Sequence, residues 1–163
     1  MTMRIPKHDR GFTLIELVVT LVIVALLSTI ALPLSELTVQ RHNEQELRLA
    51  LREIRAAIDA YKQAWDEGRI TTSVGKSGYP ASLALLVEGV DDPADPNAKA
   101  KIYFLRRIPR DPFATDASQT AVDTWGKRSY ASSADNPQEG DDVFDVYSRA
   151  TGKDLRGIPY RDW

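Results

Sequence analysis

Between Leu17 and Leu34 the chain carries no charged side chain, and this one stretch limits what the rest can fold into. As a helix rising about 1.5 Å per residue, it is long enough to cross a hydrocarbon core. The wider string from Gly11 to Leu34 reads GFTLIELVVTLVIVALLSTIALPL and follows a short leader containing Arg4, Lys7 and Arg10. One acid, Glu16, stands at the start of the block. An unpaired carboxylate is costly in lipid, so Glu16 either sits at headgroup level or waits for a cationic partner.

Three readings compete for this stretch. A cleaved secretory signal has a shorter apolar core and a small-residue cleavage site; here the core is too long, and Ala25 and Ala31 make no clear site. A plain single-span anchor fits the length and leaves Glu16 to snorkel to the interface. The third reading rests on the motif itself. GFTLIEL behind a basic leader resembles the type IV prepilin family, with glycine at the cut, phenylalanine as the new N-terminus and glutamate as the fifth mature residue. Gly11 has no side chain, so an extended backbone there can enter a tight peptidase site. The resemblance implies that a membrane aspartyl peptidase cuts between Gly11 and Phe12 and N-methylates Phe12. It also implies that Glu16 pairs with the Phe12 amine of a neighbouring subunit, neutralising a buried charge and setting the stagger.

At 163 residues the chain allows one modest domain plus the membrane segment. The leader through Gly11 has three basic side chains and Asp9, a net of +2, so the whole-chain −2 leaves −4 after cleavage. A mildly acidic protein with no dense Lys/Arg run has no electrostatic footprint for nucleic acid. Basic residues before a single apolar span place the leader inside and the C-terminus outside. In a two-membrane bacterium that means an inner-membrane anchor with the bulk in the periplasm. No cysteine is present, so the domain is held by packing or a bound ion. Many adhesive pilins resemble one another in a C-terminal disulfide loop, and its absence points toward the pseudopilin branch.

Beyond the block, Pro33 removes a ladder hydrogen bond and marks a kink, or a point where the rod bends. Ser28, Thr29 and Ser35 stand near enough to satisfy freed carbonyls. Leu47, Leu51, Ile54, Ile58, Tyr61 and Trp65 then recur at spacings of four and three, a one-stripe helical seam. Arg48, Arg52, Arg55, Asp59, Lys62 and Asp66 lie off it. The seam is short for a coiled coil and ends in large aromatics, so packing on a small sheet of the same chain is expected. Gly68 closes the helix. YPASLALLVEGV reads as a short helix, and DDPADPNAKAK as a loop. RSYAS and DVFDVYS are strand-sized, joined by a polar connection, and Trp163 is expected to cover an edge or pocket. The fold class is α+β, a long N-terminal helix on a small C-terminal antiparallel sheet, as in the pilin fold. The expected organisation is a leader over 1–11, a transmembrane and fibre-core helix over 12–34, an amphipathic helix over 35–68 and a periplasmic head over 69–163.

YPASLALLV, IPRDPF, WGKRSYASS and DVFDVYS follow one another in the order seen in major pseudopilins of type II secretion, which the chain resembles over nearly its whole length. The resemblance implies a filament subunit, stored in the inner membrane and stacked into a periplasmic pseudopilus. Its partners would be itself, other pseudopilins, prepilin peptidase and an inner-membrane assembly platform, with an ATPase elsewhere supplying energy. A surface type IV pilin and a membrane-anchored binding module that never polymerises stay open as alternatives. Family members often bind calcium in a loop after the last strand. Here that loop, RATGKDLRG, has only one acid, Asp154. Asp141, Asp142, Asp145 and Asp154 are calcium candidates if they converge, but a solvated acidic loop is the preferred reading, and no cofactor is assigned. Nor is catalysis expected: no nucleophile–base pair, phosphate-cradling loop or metal cluster is visible, and His42 reads as a surface residue.

Overall fold

A computed structural model describes residues 11–70, 77–93 and 100–163, without the side chains of 29–35. The leader before Gly11 and the Pro33 side chain therefore lie outside the described residues, as does most of the loop at 94–99. The chain divides into two compact units, Met1–Arg41 and His42–Trp163. One helix, α1 (Leu14–Asp66), runs from the first unit into the second, with helical backbone through residue 33.

Gly68 ends α1 as expected. At φ 71° it turns left-handed, its N–H donates to Trp65 O at 3.0 Å, and the next N–H, of Arg69, reaches back to Ala64 O at 2.9 Å. This pair of bonds is the Schellman closure, which satisfies carbonyls that the helix end would leave bare. In the second unit the seam is buried where the periodicity places it. Leu47, Leu51, Ile54, Ile58 and Tyr61 are all buried, and Trp65 packs half-buried against them. Ala50, Ala57 and Ala64 fill the gaps, small enough to let the head approach the helix backbone. Burying a Leu or Ile side chain contributes roughly 1.5–3 kcal/mol. A seam already spent inside the chain has nothing left for a second helix, so the coiled-coil alternative falls away.

The head supplies the other wall through Leu83, Leu86, Leu105, Trp125, Val143, Val146 and Tyr160. Among the described residues it forms two small antiparallel sheets rather than one. The first joins β1 (Val90–Asp91) to β2 (Lys101–Ile102); the second joins β3 (Trp125–Arg128) to β4 (Asp145–Ser148), with Trp125 opposite Ser148 and Arg128 opposite Asp145. The fold class is α+β, as expected, but three local expectations shift. The strand before the polar connection is WGKR, not RSYAS, because Ser129 and Tyr130 are drawn out of the ladder by Asp142. The helix read over YPASLALLVEGV shrinks to α2 (Leu85–Glu88), since Pro80 O is taken by Val143 N and Gly89, at φ 74°, stops the turn. The pairing of Lys101–Ile102 with Val90–Asp91 is new.

Gly126 is required by what lies over it. A Cβ there would stand 2.3 Å from the Tyr147 ring of the paired strand. Trp125, beside it, is fully buried and anchors its Nε1 on Pro109 O at 2.8 Å. Trp163 packs partly buried against the core, meeting Tyr160 edge-on, with the Arg48 guanidinium 4.4 Å above its ring.

Candidate processing and assembly segment

Residues 11–13 precede the helix, and Thr13 caps it. Its carbonyl accepts from Leu17 N at 3.2 Å, and its hydroxyl accepts from Glu16 N at 3.3 Å. Threonine followed three residues later by glutamate is a sequence signature of a helix start, and Thr13 was the residue that motif-based reading passed over. Capping puts Glu16 in the first turn, where the exposed N–H groups of the helix favour negative charge. Among the described residues the Glu16 carboxylate has no hydrogen-bond or ion-pair partner. Gly11 is exposed, and a Cβ there would meet nothing within 4 Å. Among the described residues nothing gives a steric reason for glycine at position 11.

The apolar half of α1 shows its side chains in all directions. Every residue from 11 to 28 is exposed, Phe12 by 78% and Leu14 by 83%. A helix apolar on all faces is stable only in lipid or among other helices. Two of its hydroxyls are prepared for such surroundings: Thr20 Oγ1 donates to Leu17 O at 2.9 Å and Ser28 Oγ to Val24 O at 2.8 Å. Neither then needs a partner outside its own helix. Among the described residues no helix is long and apolar enough to cross a membrane; the span read over 12–34 includes residues 29–34, whose side chains lie outside that set.

In the second unit, α1 is fastened to the head by Arg55, which sequence reading had placed simply off the seam. Arg55 Nε donates to Asp145 Oδ1 at 2.8 Å, and its Nη2 reaches Val146 O at 3.0 Å and Trp163 O at 2.7 Å. An arginine one position past the buried Ile54 was the only sequence sign of this clamp.

The four calcium candidates are held separately. Asp141 is exposed. Asp142 accepts from the Ser77 hydroxyl, from Ser129 Oγ at 2.9 Å and from Tyr130 N at 2.8 Å. Burial pushes its pKa up, but these three donors outweigh it and hold the carboxyl below the ordinary aspartate value. Asp145 is bridged by Arg55 and by Arg128 at 3.2 Å. Asp154 is buried, contrary to the solvated loop expected for it. Among the described residues no three His, Cys, Asp or Glu side chains form a group that could hold a metal ion.

Ser148 Oγ donates to the buried Asp111 at 2.6 Å and accepts from Ala150 N at 3.1 Å, so this hydroxyl is used in folding. His42 is exposed on α1 and faces Glu46 at 3.3 Å.

Comparison with known proteins bears on the first segment most directly. Residues 6–32 match the prokaryotic N-terminal methylation motif. Along more of its length the chain is similar to type II secretion system core protein G of two bacteria. With that of Klebsiella pneumoniae it is 26% identical over 142 residues, covering 84% of this chain and 94% of the relative. With that of Dickeya chrysanthemi it is 24% identical over 124 residues, 74% of each. No solved structure matches significantly.

Proposed function

We propose that this chain, type IV pilin-like in its methylation motif and in its long helix on small antiparallel sheets, is a structural subunit of a type II secretion pseudopilus. The observation that carries this reading is the run of exposed apolar side chains directly behind the methylation motif. A cut before Phe12 would leave a helix whose first half can be buried only by lipid or by copies of itself. In the membrane it anchors the subunit, with leader in the cytoplasm and head in the periplasm. In the filament the same surface packs into the core, while the heads form the outside.

Prepilin peptidase cuts between Gly11 and Phe12 and methylates the new amine. Glu16, exposed one turn from that amine, pairs with the Phe12 amine of the adjoining subunit, and Pro33 gives the helix a point at which to bend as it leaves the membrane. Other pseudopilins and an inner-membrane assembly platform complete the machine. The subunit's work is mechanical, without catalysis of its own, and an ATPase elsewhere drives it.

The decisive measurement is the intact mass of the protein purified from membranes of cells that possess the peptidase. The expected species begins at Phe12 and carries one added methyl group. A chain that still begins at Met1 would remove the processing step, and with it the filament.

A further inference from the structure

Calcium in the loop after the last strand is what the resemblance implies, so the residues present can be tested against that ion. A calcium site takes six to eight oxygens, several of them carboxylate. The segment 149–159 offers one carboxylate, Asp154, and N–H donors already occupy it. Oδ1 accepts from Arg156 N at 2.8 Å and from Ile158 N at 2.9 Å, while Oδ2 accepts from Arg156 Nε at 3.0 Å. Only 1% of the Asp154 side chain is exposed, against 68% of Arg156. Two backbone dipoles and a guanidinium aimed at one point stabilise an anion there and repel a cation. Asp142 and Asp145 are committed to other donors, so the residues do not fit the ion.

We propose that the Asp154 carboxylate is itself the clasp of this loop, an anion at its centre doing without metal what a bound cation would do. Around it the backbone closes on itself. Asp154 N donates to Ile158 O at 2.8 Å, Gly157 N to Asp154 O at 2.9 Å, and Tyr160 N to Gly152 O at 3.2 Å. Lys153 and Pro159 form a single antiparallel bridge across the loop. The closure delivers Tyr160 to its place, where the ring stacks on Phe113 at 4.3 Å and the hydroxyl donates to Glu44 of α1 at 3.1 Å. The clasp thus fastens the C-terminal segment to the helix, and the subunit folds and assembles independently of calcium.

The test uses the full-length protein in detergent micelles, with thermal unfolding and limited trypsin digestion as readouts. The wild type is expected to melt at the same temperature in millimolar calcium chloride as in excess chelator. Asp154→Asn is expected to lower Tm by about 3 °C or more and to speed cleavage after Lys153 and Arg156. Arg156→Gln should lower Tm by less, because both backbone donors remain. A calcium-induced rise in Tm that chelator reverses would overturn the proposal, as would an Asp154→Asn protein that melts and digests like the wild type. If Asp154→Asn fails to fold, the wild-type calcium comparison and the Arg156→Gln variant still decide the matter, with a lowered Tm and faster cleavage after Lys153 expected and an Arg156→Gln protein unchanged in both counting against the clasp.

Discussion

Arg55 Nε lies 2.8 Å from Asp145 Oδ1, so the C-terminal part of α1 is tied to the first residue of β4. The same guanidinium caps Val146 O and Trp163 O, and Asp145 takes a second arginine, Arg128, from the paired strand. Helix, sheet and C-terminal segment thus meet at one half-buried group, and its removal is informative.

Arg55→Ala should destabilise the protein by about 2 kcal/mol, since hydrogen bonds to charged groups contribute roughly 1.5–3 kcal/mol each and solvent recovers part of the loss. Arg55→Lys should restore little, because an ammonium cannot bridge one carboxylate and two carbonyls in a plane. Chemical denaturation of the two variants checks both statements. A silent Arg55→Ala would mean that the seam alone holds the helix to the head.

Gly126→Ala should cost about 1–3 kcal/mol, the usual penalty of overpacking, because its methyl group runs into the Tyr147 ring. Combining it with Tyr147→Ala should recover part of that loss, as the two changes act on one contact. Strictly additive losses in the double variant would point instead to a backbone cause.

Acid should weaken the head through Asp142 and Asp154. In Asp154 burial pushes the pKa up, but the Ile158 amide and the Arg156 side chain and amide outweigh it, so both carboxyls titrate below the ordinary aspartate value. A depressed folded-state pKa gives stability that is complete above the unfolded value, near 3.8, and is lost as pH falls through the folded one. Asp142→Asn should therefore be less stable than wild type at neutral pH and show a flatter decline below about pH 4. An unchanged slope in acid titrations followed by circular dichroism would count against Asp142 as the titrating group.

Glu16→Gln separates the assembly proposal from a plain membrane anchor. An interface-level acid would tolerate the change, since a neutral amide inserts more easily than a carboxylate. If Glu16 pairs with a neighbour's Phe12 amine, that amine is left buried without a counter-charge, at about 3–5 kcal/mol. The expected protein is cleaved and membrane-resident but forms no filament and supports no secretion. Normal filaments would refute the pairing.

What the sequence determined by itself was everything that depends on neighbours along the chain. The uncharged run from Leu17, the processing motif before it, the spacing of Leu47 through Tyr61 and the left-handed Gly68 are each set within a few residues. Helical periodicity and turn chemistry act over that range. The tertiary structure decided what depends on residues brought together from far apart. Asp142 pulls Ser129 and Tyr130 out of the ladder, moving the strand back to Trp125–Arg128. Arg55 finds its acid ninety positions away. Asp154, one acid among polar neighbours in the sequence, becomes a buried anion because the chain folds its own N–H groups around it. A carboxylate's role is set by which donors surround it, and that is fixed only when the chain closes.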